Sequence, residues 1–364
     1  MPEWAIENFE TSRIESPYLN YMLLFLIEMG TNIGAILELR ETSLDALAGK
    51  IIAVDAYNML YQFLTIIRQP DGTPLRDSAG RVTSHLSGLI YRATNLMAKG
   101  LKLVFVFDGK PSELKAEVIR ARSVRRAEAR RRWASAKVPE EALKFAKAST
   151  RIEPGIVEEA KELLEYLGIP YVQAPSEGEA QAAFMVRRGD ADIVASQDYD
   201  SLLFGAPEMV RNLSAPRRGV KLELAVLSDI EHRLGITHEE LVEIAILVGT
   251  DFNPGIKGIG AKRALKLIKE HHSIDELLAK SVIENAPGIA NYELVRDIFL
   301  HPEVDTEYEL RWSEPEEEKV KEFLCELHDF SEERVNKALE RIRTTSSNSK
   351  EIVKESQRRI DQWL

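Results

Sequence analysis

The residues most able to do chemistry in this 364-residue chain are acids that come in pairs. Pro-Ser-Glu-Gly-Glu-Ala at 175–180 places Glu177 and Glu179 two apart at an expected helix start. Asp-Ile-Val-Ala-Ser-Gln-Asp-Tyr-Asp at 192–200 places Asp198 and Asp200 two apart where a strand of Ile193, Val194 and Ala195 runs out. Two unit charges 4 Å apart repel by about 4 kcal/mol at an effective dielectric of 20. Four carboxylates at the ends of neighbouring elements therefore stay ionised only around a cation. Hard oxygen donors point to Mg²⁺, with Mn²⁺ as the alternative. Taken singly the acids have plainer uses. Ser176 and Glu179 fit a capping box, and Asp198 fits a turn cap.

The elements that must position these acids are strands alternating with helices. Lys50-Ile-Ile-Ala-Val-Asp55 reads as a buried strand ending in an acid, followed by a helix over 58–67. A second helix is expected over 83–99, and a second buried strand over 101–107 ends beside Asp108. With 193–195, three strands finish on Asp. Alternating strands and helices imply an α/β fold with a central, mostly parallel sheet. Such sheets bind ligands beyond the carboxyl ends of their strands, which is where Asp55, Asp108 and Asp198 lie side by side, facing the Glu pair.

Cations follow in sequence. Residues 110–151 hold 13 Lys or Arg against 5 Glu, a net +8 in a chain whose formal charge is −11. Arg122, Arg125, Arg126 and Arg130 share one helix face, and a second helix is expected from Val138-Pro-Glu-Glu, so the segment reads as a helical arch. A net +8 placed after Asp108 suits a phosphate backbone entering an acidic centre. Further on, two helices over 241–270 flank Gly-Ile-Lys-Gly-Ile-Gly at 255–260. Gly258 and Gly260 let backbone N–H groups approach a phosphate. Lys262 and Arg263 add charge in a first turn that would otherwise favour acids. Asp251, in the same loop, is a seventh acid. This loop resembles a helix-hairpin-helix.

One cysteine, Cys325, excludes a disulfide framework and any cysteine zinc site, which suits a reducing cytoplasm or nucleoid. No run is long and apolar enough for a membrane span. From 291 onward the chain reads as helical and acidic, with Phe323, Leu324, Leu327 and Phe330 as packing residues. Residues 344–350 read as a linker. The ending Gln-Arg-Arg-Ile-Asp-Gln-Trp-Leu resembles a peptide that docks on sliding clamps, through Gln357, Ile360, Trp363 and Leu364, although Trp-Leu departs from the usual aromatic pair.

From 29 to 364 the chain resembles the flap structure-specific endonucleases in their archaeal form. The resemblance rests on Ile-Ala-Val-Asp-Ala (52–56), Tyr-Gln-Phe-Leu (61–64), Thr-Ser-His-Leu (83–86), Val-Phe-Asp-Gly-Lys-Pro (106–111), Ala-Pro-Ser-Glu-Gly-Glu-Ala-Gln-Ala-Ala (174–183), Ser-Gln-Asp-Tyr-Asp-Ser-Leu-Leu-Phe-Gly (196–205), and Gly-Thr-Asp with Gly-Ile-Gly (249–260). It implies a monomeric nuclease that cuts 5′-flapped DNA in replication and repair, with some 5′–3′ exonuclease activity. It implies that all seven acids serve one two-metal site and that Lys115 and Arg122 reach the scissile phosphate. It also implies that Tyr61 stacks on the adjacent base, that Arg68 and Arg92 contact duplex DNA, and that a K⁺ bridges the glycine hairpin to a phosphate. The family begins Met-Gly, matching Met29-Gly30, so residues 1–28 read as a flexible extension or a mis-assigned start. The 214–219 loop is shorter than family members often have. A sister nuclease for bubbles, junctions or 5′ ends, and a non-catalytic junction or clamp adaptor, are the alternatives.

Overall fold

Short apolar runs bounded by turns become the strands of one sheet. The computed structural model describes residues 31–136, 138–213, 220–284 and 286–343. The extension 1–28, Met29-Gly30, the 214–219 loop, the 344–350 linker and the clamp-type tail lie outside the described residues. The strands are β1 (Arg40–Thr42), β2 (Ile51–Asp55), β3 (Lys102–Phe107), β4 (Tyr171–Gln173), β5 (Ile193–Ala195), β6 (Glu208–Arg211) and β7 (Leu222–Val226). Their order is β1-β7-β6-β5-β2-β3-β4. The five strands from β6 to β4 run parallel, while β7 is antiparallel to both its neighbours.

The helices are α1 (Ala56–Ile66), α2 (84–97), α3 (Ala116–Ser135), α4 (Pro139–Ala148), α5 (Pro154–Tyr166), α6 (Gly178–Arg188) and the single turn α7 (Asp200–Leu203). Then come α8 (Leu227–Leu234), α9 (His238–Val248), α10 (Ala261–His271), α11 (Ile274–Ala279), α12 (Tyr292–Leu300) and two further helices over 317–327 and 332–343, of which only the first is acidic. Alternate strand residues point to opposite faces. Ala53, Val104, Val106 and Val194 therefore enter one core with α6, α9, α10 and α12. Ile52, Val54, Leu103, Phe105, Phe107 and Ile193 enter the other with α1, α2, α5 and the last two helices. Burial on both faces explains why these strands read as continuous apolar runs.

The chain beyond α12 differs from expectation. Residues 302–316 are not helical but form an extended strap along the molecule. Gln181, fully buried, exchanges hydrogen bonds with the Asp305 backbone at 2.8 and 2.7 Å. Trp312 Nε1 donates to the Leu103 carbonyl at 2.8 Å. These bonds replace the ones a helix would make. Phe323 and Leu324 pack as expected, but Leu327 is exposed, because its turn faces outward while its carbonyl accepts from Arg81.

Three rings tie the hairpin to the sheet. Phe299 of α12 packs at a tilt against Phe204, just after α7, at 4.9 Å, and edge-on to Phe252 at 5.3 Å. One fully buried ring thus holds the helix bearing Asp200 against the loop bearing Asp251. Phe299→Ala should cost about 3–5 kcal/mol, read as a lower urea midpoint with the slope unchanged. A midpoint at the parental value would show that this ring does not join the two elements.

Candidate active site

Each acid owes its place to an element end. Asp55 closes β2 and caps α1, accepting from the Asn58 N–H at 2.9 Å. Asp108 follows β3 and accepts from the Gly178 N–H at 2.7 Å. A Cβ at Gly178 would stand 2.7 Å from the same carboxylate, so only glycine lets α6 begin there. Glu177 is the N-cap residue of α6 but makes no capping bond, and the Ser176–Glu179 capping box does not form. Glu179 instead accepts from Ser201 at 2.9 Å. Asp200, at the start of α7, accepts from both the N–H and hydroxyl of Thr31, at 3.2 and 2.7 Å. Asp198 accepts from the Asn58 amide at 3.3 Å.

Asp251 reaches the same place from the hairpin. Thr250 and Asn253 pair across its loop, and the Asn253 amide holds the Ile246 and Gly288 carbonyls at 2.8 and 2.9 Å. Because β5, β2 and β3 are neighbours, Asp55, Asp108 and Asp198 come together beyond their carboxyl ends, and the two Glu, Asp200 and Asp251 close round them. The structure therefore brings all seven acids into one bowl.

Their proximity sets their mutual fields. Burial first, then the charge on Asp108, lifts Asp55 to about 7. Burial and then Asp251 lift Asp200 to about 6. Glu179 and Asp198 are raised well above the carboxylate range by burial and then by Asp200. Asp108 and Glu177 are raised too, burial leading in both.

The arch supplies the opposing charge. Lys115 pairs with Glu177, stands 3.9 Å from Asp251, and lies 4.8 Å above the Phe252 ring. Burial works against its ammonium, but the fields of Glu177 and Asp251 outweigh that and raise its pKa. Arg122 bonds Asp251 at 2.6 Å. Were all seven acids ionised, the two cations would leave a net −5.

Other expected residues are placed less simply. Tyr61 is buried, 7% exposed, beneath arch arginines, so stacking on a base requires the arch to lift from it. Arg68 is not an outward cation: each of its nitrogens bonds within the chain. Arg92 is half-buried on α2, while Arg125 faces solvent and Arg126 turns partly inward. In the hairpin, Gly258 sits at φ +87°, a region that favours glycine, Gly260 is the N-cap of α10, and Lys262 and Arg263 are exposed. Thr31, Asn58, Ser196 and Ser201 were not singled out from sequence. Ser196 and Ser201 stand in the Ser-Gln-Asp-Tyr-Asp-Ser run, but serine has too many uses for that to single them out.

Residues 26–129 match the XPG N-terminal domain and residues 168–251 the XPG I-region. Flap endonuclease 1 of Methanocella arvoryzae is 53% identical over 333 residues, covering 88% of this chain and 97% of that one. The chain belongs to the flap endonuclease 1 family. The solved structure of flap endonuclease-1 from Methanococcus jannaschii is 38% identical, covers 88% of this chain and 100% of that one, and superposes with a TM-score of 0.71. The catalytic core of Rad2 in complex with DNA substrate is 26% identical, covers 85% of this chain and 97% of that one, with a TM-score of 0.66. Flap endonuclease 1 relatives make this chain a structure-specific DNA nuclease of a family that is divalent-metal dependent.

Among the described residues no group of three or more His, Cys, Asp or Glu forms a ready metal cage. The donors nonetheless fit divalent cations: they are hard oxygens, buried, and repelling one another. Among the described residues no helix is long and apolar enough to cross a membrane.

The raised acids set a pH dependence. Asp55 titrates near 7 when folded against 3.8 for a free side chain, so the folded state binds more protons between about 4 and 7 and loses stability as pH rises through that window. The metal-free protein should melt at a higher temperature at pH 6 than at pH 8, and Mg²⁺ should remove most of the difference. A Tm that rises with pH in EDTA would contradict the repulsion.

Proposed function

We infer that this chain hydrolyses 5′-flapped DNA at the junction of single strand and duplex. The observation that carries this reading is the bowl of seven acids with Lys115 and Arg122 reaching into it from a basic arch. Asp55, Asp108, Glu177, Glu179, Asp198, Asp200 and Asp251 would hold two Mg²⁺, or Mn²⁺. Divalent cations bound there would supply an activated water and stabilise charge on the leaving oxygen.

The chain's own cations have the complementary task. Lys115 and Arg122 would exchange Glu177 and Asp251 for the incoming phosphate, offset the residual negative charge, and stabilise charge as it develops. Both already stand at the acids. Arg92, Arg125 and Arg126 would follow the DNA backbone. Gly258, Gly260, Lys262 and Arg263 would hold duplex phosphates without reading bases, with a K⁺ bridging the hairpin. Tyr61 would meet the base once the arch moves aside. We also propose that Gln357, Ile360, Trp363 and Leu364 dock on a sliding clamp, that residues 1–28 stand outside the nuclease unit of 29–343, and that the protein acts as a monomer.

The 53% identity to a flap endonuclease 1 supports flaps over bubbles or four-way junctions. The presence of all seven acids weighs against a non-catalytic adaptor. Asp198→Ala should abolish Mg²⁺-dependent cleavage of a labelled double flap while flap binding persists. Retained turnover would remove Asp198 from the site. Lys115→Ala and Arg122→Ala should each lower kcat by about 10²–10³ with smaller effects on binding. Faster cutting of bubble than of flap DNA would favour the sister-nuclease reading.

A further inference from the structure

Arg68 lies just past the C-terminus of α1, the helix that carries Asn58 and Tyr61. Its Nε donates to the Leu64 carbonyl at 2.8 Å, Nη1 to the Gly72 carbonyl at 2.7 Å and Nη2 to the Thr150 hydroxyl at 2.6 Å. Thr150 follows the return helix of the arch, α4, and is itself buried. The turn and the arch also touch directly. Gly72 has φ +85°, and a Cβ added there would stand 2.9 Å from the Ala146 Cβ and 3.4 Å from the Leu143 Cα. Ala146 is fully buried, so α4 rests on the 69–74 turn.

We propose that Arg68 is a positioning residue that latches the back of the arch to the end of α1, through Thr150 and Gly72, and thereby sets where Lys115 and Arg122 stand. The arch has two feet. The front foot is electrostatic: Lys115 on Glu177 and Arg122 on Asp251. Those pairs must open when a phosphate takes the two cations. The back foot involves no group in the bowl, so it holds while the front foot changes partners. A guanidinium suits the task because its rigid fork reaches three acceptors from one side chain. Moving it out to a phosphate would break the bond to Thr150 or to Gly72.

This inference rests on the reading that Lys115 and Arg122 serve the reacting phosphate. Its test is Arg68→Met, Thr150→Val and the double variant, with Thr150→Ser as the variant that keeps the hydroxyl. Hydrogen exchange of the DNA-free, metal-free protein should quicken across 139–150 in Arg68→Met and Thr150→Val, and return to the parental rate in Thr150→Ser. On a double-flap substrate each single variant should lower kcat about tenfold or more, since misplaced catalytic groups are costly, with KM little changed. The double variant should be no worse than the poorer single one, because both changes break one contact. A DNA contact behaves otherwise: Arg68→Met alone would weaken binding and reduce the salt slope by about 1, while Thr150→Val would match the parent. That pattern overturns the latch. Unchanged exchange in both single variants also overturns it, and leaves the nuclease reading intact because no substrate takes part in that measurement. Quickened exchange with unchanged kcat overturns the positioning role.

Discussion

Mutual repulsion among buried carboxylates is the constraint the rest of the molecule answers. Left alone, seven acids in one bowl would protonate or push the surrounding elements apart. The scaffold resists the second outcome with rigid, apolar construction. Three neighbouring strands deliver Asp55, Asp108 and Asp198, and their registers leave no freedom to separate. Helix starts also help. Asp55 and Glu177 sit at the N-termini of α1 and α6, where peptide dipoles favour negative charge by roughly 0.3–1 kcal/mol each. Phe299, wedged between Phe204 and Phe252, prevents the hairpin acid from drifting away from the strand-end acids.

The same repulsion explains the arch. A helix carrying so many arginines gains little from burying its own surface: among its described side chains only Ala129 is buried. What holds it is charge at one end and packing at the other. Lys115 and Arg122 are drawn into the bowl, while α4 settles on the glycine turn at 72. The cations are therefore mobile in principle but anchored in position. In the proposed reaction a phosphate would replace Glu177 and Asp251 as their partner.

Much of this was legible in the sequence because strand-end acids carry their own address. An apolar run that stops at Asp, three times over, forecasts both the parallel sheet and the shared edge. The basic arch and the glycine hairpin were equally plain, since charge density and Gly spacing survive without three-dimensional context. What escaped depends on long-range partners. The strands β6, β7 and β1 are short, and β7 runs antiparallel to both its neighbours, so no alternation of strand and helix announces them. The 302–316 strap takes its hydrogen bonds from Gln181, Gly168 and Leu103, residues more than a hundred positions away. Nothing near Arg68 in sequence announces Thr150 as its acceptor. Nor does anything near Tyr61 in sequence announce its burial.

The central claim is that these seven acids are one cation-holding centre. Crystals of the full chain soaked in Mn²⁺ and measured at the manganese absorption edge test it most directly. The account predicts two anomalous peaks inside the bowl, bounded by Asp55, Asp108, Glu177, Glu179, Asp198, Asp200 and Asp251. Peaks confined to other surfaces, with the bowl empty at saturating Mn²⁺, would contradict it.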